Sequence, residues 1–370
     1  MLPRLGARNF LFVVVTPTGS TVWVKRASPA ASVGCDRRSA ELPRHPHRHG
    51  SVPRRAHLAG AFPRRLLPGA AYPHVGDVGH RHRPVGHQGQ GAQRADLRAA
   101  RRAGGDKVVC YPHNRGEVDN VQTLVDSCLE TKEQGWKFVR WGLPNDGQIL
   151  EPRQAVRQTI KQFQAVREAV GEDIEICFDV HTRLDLPEAV WLCQEVEQFS
   201  PFFIEDPLRC ENPDSFKTLR PRTRVPLAAG EQFSSKWEFR QLIEEEWIDY
   251  ARIDLCIVGG FTEARKITGW SETHYIQLAV HNPLGPVSSA ACLQMSLATP
   301  LVGVQEQPRA TGTVLTDVVP VQPEWRDGYL LAPTRPGLGI EFDREAAKKH
   351  PFQQRELPTL RRLDGSFTNW

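Results

Sequence analysis

Short apolar runs that each end in an acidic residue recur at a nearly constant interval in the middle of this chain. Asp179, Glu205 and Glu231 each follow such a run, and each step between them is 26 residues. One strand, one helix and the two loops that join them need about that many residues. The interval therefore predicts successive βα units of a parallel barrel, with the three acids at the C-terminal ends of neighbouring strands.

These three acids predict a metal site. Carboxylates that are brought together on one face repel each other unless a cation joins them, and hard oxygen ligands on neighbouring strands suit Mg²⁺. We therefore predict Asp179, Glu205 and Glu231 as Mg²⁺ ligands. The alternative for any one of them is an ion pair at a strand end, but three in register favour the metal.

The same interval continues towards the C-terminus. Asp254, His281 and Glu306 follow further apolar runs after steps of 23, 27 and 25 residues. Neighbouring strand ends would allow Asp254 to accept a hydrogen bond from one ring nitrogen of His281 and to stabilise the imidazolium that forms when the other nitrogen takes a proton. The alternative for His281 is a structural histidine.

The whole-chain composition fits a globular protein with a large core. A chain of 370 residues with 40% hydrophobic residues can hold a barrel and a smaller second domain. The eight cysteines form no CxxC pair, which favours reduced thiols and a cytoplasmic location. No apolar run approaches the roughly 18 residues of a membrane span, so we expect no membrane association.

Residues 26–105 differ from the rest of the chain. They contain fifteen arginines, no lysine, four acidic residues and eight of the thirteen histidines. Such a segment cannot bury enough apolar surface to offset its chain entropy. It also lacks interleaved aromatic residues, and His45, His47 and His49 are spaced among prolines, so we expect neither a nucleic-acid partner nor a histidine metal tract.

A family resemblance rests on four motifs that follow the predicted strands. They are Asp179-Val180-His181, Phe203-Ile204-Glu205-Asp206-Pro207, Ala228-Ala229-Gly230-Glu231-Gln232 and His281-Asn282-Pro283-Leu284-Gly285-Pro286. Together they resemble the mandelate racemase/muconate lactonizing enzyme branch of the enolase superfamily over about residues 106–345. Within it the chain looks most like acid-sugar dehydratases of the galactonate dehydratase type. The resemblance implies an α/β fold, a (β/α)₇β TIM-like barrel with an α+β capping domain, and Mg²⁺ that chelates a substrate carboxylate.

The resemblance also implies roles for further residues. His181 would protonate a departing β-hydroxyl, and Glu306 would face the substrate carboxylate. The lysine pair of the two-base racemases maps to Phe138 and Arg140, so racemisation lacks one base, whereas Arg140 either binds substrate or forms an ion pair. We therefore predict a catalytic set of His181, His281, Asp254 and Glu306, with Arg140, His281 and Glu306 as substrate-binding residues.

The predicted reaction is Mg²⁺-dependent dehydration of a sugar acid, such as galactonate, gluconate or mannonate, to a 2-keto-3-deoxy acid. His281 would remove the C2 proton, giving an enediolate, and His181 would assist loss of the C3 hydroxyl. The partner is thus a small sugar acid, and a homo-oligomer is expected where the capping domain is intact. The alternatives are an epimerase or cycloisomerase on the same scaffold, or an inactive pseudoenzyme that has lost its cap.

The predicted domains follow from this resemblance. Residues 1–25 are N-terminal capping strands, residues 106–320 the catalytic barrel, and residues 321–370 a segment that returns to the capping domain. Residues 26–105 stand in place of the capping-domain body, so we expect that domain to be incomplete or disordered. Their Arg/Pro/Gly/Ala/His bias is what a GC-rich coding sequence gives when it is read in the wrong frame. The alternative to a compensated frameshift is a natural low-complexity insertion.

The frameshift hypothesis predicts a specific result when the coding DNA is translated. One of the other two frames across codons 26–105 should give a helical capping-domain sequence. The measurement is resequencing of the gene followed by translation in all frames. If neither alternative frame gives such a sequence, the segment is a genuine insertion.

Overall fold

The structure, a computed structural model, describes residues 12–16, 19–23, 105–117, 120–351 and 359–369. The predictions for residues 26–104, including the capping-domain body, lie outside the described residues. The two N-terminal strands, β1 (Phe12–Thr16) and β2 (Gly19–Trp23), form an antiparallel hairpin in which Thr16 pairs with Gly19. This hairpin lies within residues 1–25, for which the sequence predicts N-terminal capping strands, and their place in a capping domain stays a prediction.

Strands and helices alternate from residue 107 onwards. The parallel strands are β3 (Lys107–Tyr111), β4 (Phe138–Gly142), β5 (Glu175–Asp179), β6 (Phe203–Glu205), β7 (Leu227–Ala229), β8 (Tyr250–Ala251), β9 (Gln277–Val280) and β10 (Val302–Glu306). The helices between them are α1 (Val121–Glu133), α2 (Pro152–Val170), α3 (Leu186–Val196), α4 (Phe216–Leu219), α5 (Lys236–Glu244), α6 (Gly260–Thr273) and α7 (Pro286–Leu297). One helix thus separates each strand from the next, which is the predicted (β/α)₇β order.

The parallel strands curl so that the first and second strands of the barrel, β3 and β4, come together. Their order in the sheet is β3-β10-β9-β8-β7-β6-β5-β4, with every neighbouring pair parallel. Asn114, just after β3, bridges the two ends of this order. Its backbone N–H donates to the carbonyl of Arg140 at 2.7 Å, and its side-chain oxygen accepts from the backbone N–H of Arg140 at 3.1 Å. The barrel prediction is confirmed.

The inside of the barrel is filled by one apolar layer. It consists of Tyr111, Phe138, Cys177, Phe203, Ala228, Ala279 and Val304, with Tyr250 packed against them. Residues two apart on a strand point to the same face. The residues two positions further along therefore form the next layer towards the C-terminal ends of the strands. Seven of them are polar: His113, Arg140, Asp179, Glu205, Arg252, His281 and Glu306.

The outside of the barrel is covered by amphipathic helices. In α2 the buried residues Val156, Thr159, Phe163 and Val166 recur every three or four positions, so one stripe of the helix faces the sheet. Pro152 begins this helix, where its missing N–H costs nothing. Trp141 and Phe178 contact Phe163 from the strand side, with ring centroids 5.0 and 5.3 Å away. This packing fixes the strands whose ends carry the polar layer.

The C-terminal segment adds short elements to the barrel. They are β11 (Trp325–Arg326), β12 (Tyr329–Leu331), α8 (Arg344–Lys348), β13 (Leu360–Arg361) and β14 (Phe367–Asn369). β12 pairs antiparallel with β3, whereas β13 is anchored to the loop after β4 by the bond from the Leu150 N–H to the Arg361 carbonyl. The predicted return of this segment to the capping domain stays a prediction. Across the described ranges, no helix is both long and apolar enough to cross a membrane.

Gly230 is where the regular alternation of the strands is interrupted. Its φ is +120°, and a Cβ at this position would lie 2.3 Å from Cε1 of Phe239. Phe239 is fully buried on α5, so an added methyl group would have to displace a packed ring. Only glycine fits here, and the turn brings the side chain of the next residue, Glu231, to the polar end of the barrel.

We expect Gly230→Ala to destabilise the protein by about 2–4 kcal/mol, because the new methyl group overpacks Phe239 and the backbone is strained. The measurement is the urea midpoint of unfolding. Gly147→Ala is the matched control, since Gly147 also has a positive φ, +55°, but nothing lies within 4 Å of its added Cβ. The control should lose about 1 kcal/mol. Equal stability of the two variants would contradict the packing argument.

Candidate active site

The structure gathers the residues singled out in the sequence at one end of the barrel. Asp179 and Glu205 are the last residues of β5 and β6 and pair with each other across the strands, and Glu306 ends β10. Asp254 and His281 follow β8 and β9. Each of these side chains is at most 9% exposed. The strand-end prediction therefore places them in a common buried site.

Two histidines lie on either side of Glu231. Oε1 of Glu231 is 3.7 Å from Nε2 of His181, and Oε2 is 3.2 Å from Nε2 of His281. The two imidazole rings thus face one carboxylate from different directions. A small acid bound beside Glu231 would have a proton-transfer group on each side.

His281 and Asp254 form the predicted dyad. Nδ1 of His281 lies 2.7 Å from Oδ2 of Asp254, which also accepts through Oδ1 from the backbone N–H of Cys256 at 2.6 Å. Burial acts to lower the pKa of His281, but Glu231, Glu306 and the bond to Asp254 together raise it to about 9. The site thus favours the protonated imidazole of His281 as long as the surrounding carboxylates are ionised.

His181 has the opposite tendency. It lies two residues beyond Asp179 in a left-handed conformation with a φ of +56°. Burial, together with Arg183, Arg140 and His281, lowers the pKa of His181 to about 4, although Asp179 acts to raise it. The two histidines therefore differ in proton affinity, since the site favours the protonated ring of His281 and the neutral ring of His181.

The carboxylates themselves form a group with room for a cation. Glu205, Asp206 and Glu231 each offer an oxygen within 4.8 Å of the others. Burial raises the pKa of all three, and neighbouring carboxylates raise it further. Oε2 of Glu205, Oδ2 of Asp206 and Oδ1 of Asp179 are buried without a hydrogen-bond partner in the described part of the chain. Crowded, buried oxygens that lack donors fit a hard divalent cation.

Asp179 is placed differently from the other predicted ligands. It forms an ion pair with Arg140, and this guanidinium lowers the pKa of Asp179 although burial acts to raise it. One oxygen of Asp179 is engaged by Arg140, and the other has no donor within the described ranges. The structure thus brings Glu205 and Glu231 together as predicted, with Asp206 as the third member of the group. A ligand role for Asp179 stays a prediction.

Glu306 is surrounded by donors. Oε2 accepts from Nη2 of Arg252 and from the backbone N–H of Asn282, both at 2.9 Å, and Oε1 lies 2.5 Å from Nε2 of His113. Burial acts to raise the pKa of Glu306, but His281, Arg252 and His113 lower it well below its usual value. Glu306 is therefore an ionised acceptor, and it holds His113 and Arg252 in the wall of the site.

Sequence reasoning missed three residues of this site: His113, Asp206 and Arg252. His113 lies two positions beyond the inward Tyr111, as Arg140 lies two beyond Phe138, so the strand alternation could have found it. Asp206 was not selected from the sequence because the preceding residue, Glu205, already matched the 26-residue interval. The structure places Arg252, which is 0% exposed, among three acids.

The chain is similar to known proteins over most of its length. A family model described as enolase C-terminal domain-like matches residues 123–347. A D-galactonate dehydratase family member, ManD, of Chromohalobacter salexigens is 37% identical over 72% of each chain. A D-mannonate dehydratase of Caulobacter sp. strain K31 is 33% identical over 71% of each chain. The chain therefore belongs to the enolase superfamily, in its mandelate racemase branch.

A solved structure agrees with this membership. An enolase from Pantoea ananatis, crystallised with bound D-gluconate and Mg, superposes with a TM-score of 0.70 at 25% identity and covers 76% of each chain. The superposition shows that the two chains share their fold.

We expect Mg²⁺ to raise the melting temperature, because a cation that binds the folded state alone stabilises it by about 2.7 kcal/mol at roughly 100 times its Kd. The measurement is thermal unfolding with MgCl₂ and with EDTA. Glu231→Gln should abolish the gain. Comparing Asp179→Asn with Asp206→Asn identifies the third ligand, since only the variant that removes it loses the gain.

Glu211→Gln is the control for this experiment, because Glu211 is an exposed acid that pairs with Arg209 outside the carboxylate group. It should keep the full gain. An unchanged melting temperature of the unmodified protein in MgCl₂ would contradict the metal site.

Proposed function

We propose that the protein is an acid-sugar dehydratase that converts an aldonic acid to a 2-keto-3-deoxy acid. The observation that carries this proposal is the pair of histidines on either side of Glu231. Dehydration removes a proton from C2 and a hydroxyl from C3, so it needs a base and an acid near one substrate. The relatives named as D-mannonate dehydratase and D-galactonate dehydratase family member support the same reaction class.

His281 is proposed as the base that removes the C2 proton. Its Nδ1 is held by Asp254, so Nε2 is the nitrogen that faces the site. Asp254 fixes the ring orientation and stabilises the imidazolium that forms when Nε2 takes the proton. His281 must be neutral before this step, whereas the carboxylates around it favour the protonated ring.

Glu205 and Glu231, with Asp179 or Asp206, are the residues proposed to hold Mg²⁺. When bound, a divalent cation would hold the substrate carboxylate, stabilise the negative charge that develops next to C2, and offset the charge of Glu231 that favours protonated His281. Oxygens of Glu205, Asp206 and Asp179 that have no hydrogen-bond donor among the described residues support the assignment. The carboxylate site and the base are thus coupled through one shared residue, Glu231.

His181 is proposed as the acid that protonates the departing C3 hydroxyl. Its Nε2 lies 3.7 Å from Oε1 of Glu231, whereas His281 approaches the other oxygen. Because burial holds the pKa of His181 at about 4, the ring is neutral near pH 7 and must take up a proton before it acts as the acid. Glu306 and Arg140 complete the wall that faces the substrate.

The side chains of β4, the second strand of the barrel, support dehydration over racemisation. Phe138 and Arg140 take the inward positions of β4, where Phe138 packs in the apolar layer and Arg140 pairs with Asp179. Lys137 is exposed on the opposite side. The side chains of β4 that face the site therefore provide no amine base for a second proton transfer at C2.

We expect His281→Asn and His181→Asn to fail at different steps. In D₂O, His281→Asn should lose both exchange of the C2 hydrogen and keto-acid formation. His181→Asn should keep C2 exchange while keto-acid formation falls by about 10²-fold or more, because a general acid contributes about that much. The measurements are NMR for deuterium at C2 and a semicarbazide assay for the keto acid, over a panel of aldonic and aldaric acids.

His274→Asn is the matched control, because His274 follows the last turn of α6 outside the barrel and pairs with Glu246. It should retain full activity. Full activity of His281→Asn would contradict the mechanism. The panel is run both on this chain and on a version with the capping frame restored. Metal binding without product in the first and with product in the second would identify this chain as the inactive form.

A further inference from the structure

Arg252 is a fully buried arginine at the base of the carboxylate group. Its Nε donates to Oε1 of Glu205 at 2.6 Å, its Nη2 donates to Oε2 of Glu306 at 2.9 Å, and its Nη1 donates to the carbonyl of Ala279 at 3.0 Å. Nη2 also lies 3.6 Å from Oε2 of Glu231. All three guanidinium nitrogens are thus engaged, and one rigid fork spans strands β6, β9 and β10.

The bonds of Arg252 leave the second carboxylate oxygen of Glu205 available to bind a cation. Arg252 engages Oε1 of Glu205, and Oε2 of the same carboxylate is buried with no donor among the described residues. An oxygen of Glu205 also lies within 4.8 Å of oxygens of Asp206 and Glu231. A bond to one oxygen fixes the plane of a carboxylate and therefore the position of the other oxygen. Arg252 thereby sets where Glu205 presents its second oxygen.

We propose that Arg252 is a positioning residue that holds Glu205 and Glu306 in place before a cation binds, and so raises the affinity of the site for divalent cations although its own charge repels them. The proposal rests on the proposed function, because it takes Glu205 as a metal ligand. Nothing in the strand-end interval assigns this role to Arg252.

Two opposed effects determine whether replacing Arg252 strengthens or weakens cation binding. The guanidinium charge weakens cation binding by direct repulsion, so its removal alone would tighten binding. Without the fork, however, Glu205 loses its donor. Glu205, Glu231 and Glu306 also lose the positive charge that lies among them, so these buried carboxylates move apart. Loss of a residue that orients a metal ligand weakens metal affinity by about 10–100-fold. In this buried site we expect the loss of positioning to prevail.

The test compares Arg252→Met, Arg252→Lys and Arg167→Lys in the full chain. Lysine keeps the charge but is a single point donor that cannot span Glu205, Glu306 and the Ala279 carbonyl together. Arg167 is the matched control, since it is also buried and its guanidinium also binds several acceptors, the carbonyls of residues 171, 174, 199 and 200 on the outer layer.

The measurements are the Kd of Mg²⁺ by isothermal titration calorimetry and the folded state by circular dichroism. Both Arg252 variants should bind Mg²⁺ at least about 10-fold more weakly than the unmodified protein. Arg167→Lys should lose stability with no change in Kd. Arg252→Lys keeps the buried charge, so it carries the test where Arg252→Met does not fold.

An Arg252 variant that is folded and binds Mg²⁺ as tightly as the unmodified protein, or more tightly, overturns the positioning role and leaves the proposed function intact. An equal loss of affinity in Arg167→Lys overturns it as well, because the effect would then reflect stability. Absence of Mg²⁺ binding in the unmodified protein instead overturns the proposed function, and the role of Arg252 with it.

Discussion

The structure depends on how several buried carboxylates are held together at one end of a barrel. Glu205, Glu231 and Glu306 are each at most 5% exposed, and like charges at such positions are costly unless they are paired or neutralised. Arg252 lies among all three of them. The chain therefore keeps the guanidinium of Arg252 inside the site, while Oε2 of Glu205 has no hydrogen-bond donor among the described residues.

The regular geometry of the strands delivers this arrangement. On almost every strand the residue of the apolar layer and the residue of the polar layer above it are two positions apart. The same strand register therefore positions both the core side chains and the polar side chains of the site. β7 is the exception, because Gly230 turns the backbone and Glu231 takes the central place. Glu231 then contacts both histidines, and this single irregularity connects the metal-binding group to the proposed acid and base.

Much of the fold and of the candidate site could be predicted because the intervals between the acidic residues indicate where the strands end. The interval from Asp179 to Glu306 predicted the barrel, and the pairing of Asp254 with His281 followed from neighbouring strands. The intervals do not indicate which charged side chains face each other in the closed barrel. Arg252 has the sequence pattern of an ordinary strand residue, and its bonds to Glu205 and Glu306 join residues 47 and 54 positions away. The order of the sheet had to be known first.

Glu205 and Glu231 are proposed to hold a divalent cation between the two histidines. Crystals grown with Mn²⁺ test this site most directly, because anomalous scattering locates the ion independently of activity. One strong peak is expected, bonded to Glu205 and Glu231, with either Asp179 or Asp206 as the third carboxylate. A fully ordered barrel with no peak at these residues, or with the ion bound elsewhere, would contradict it.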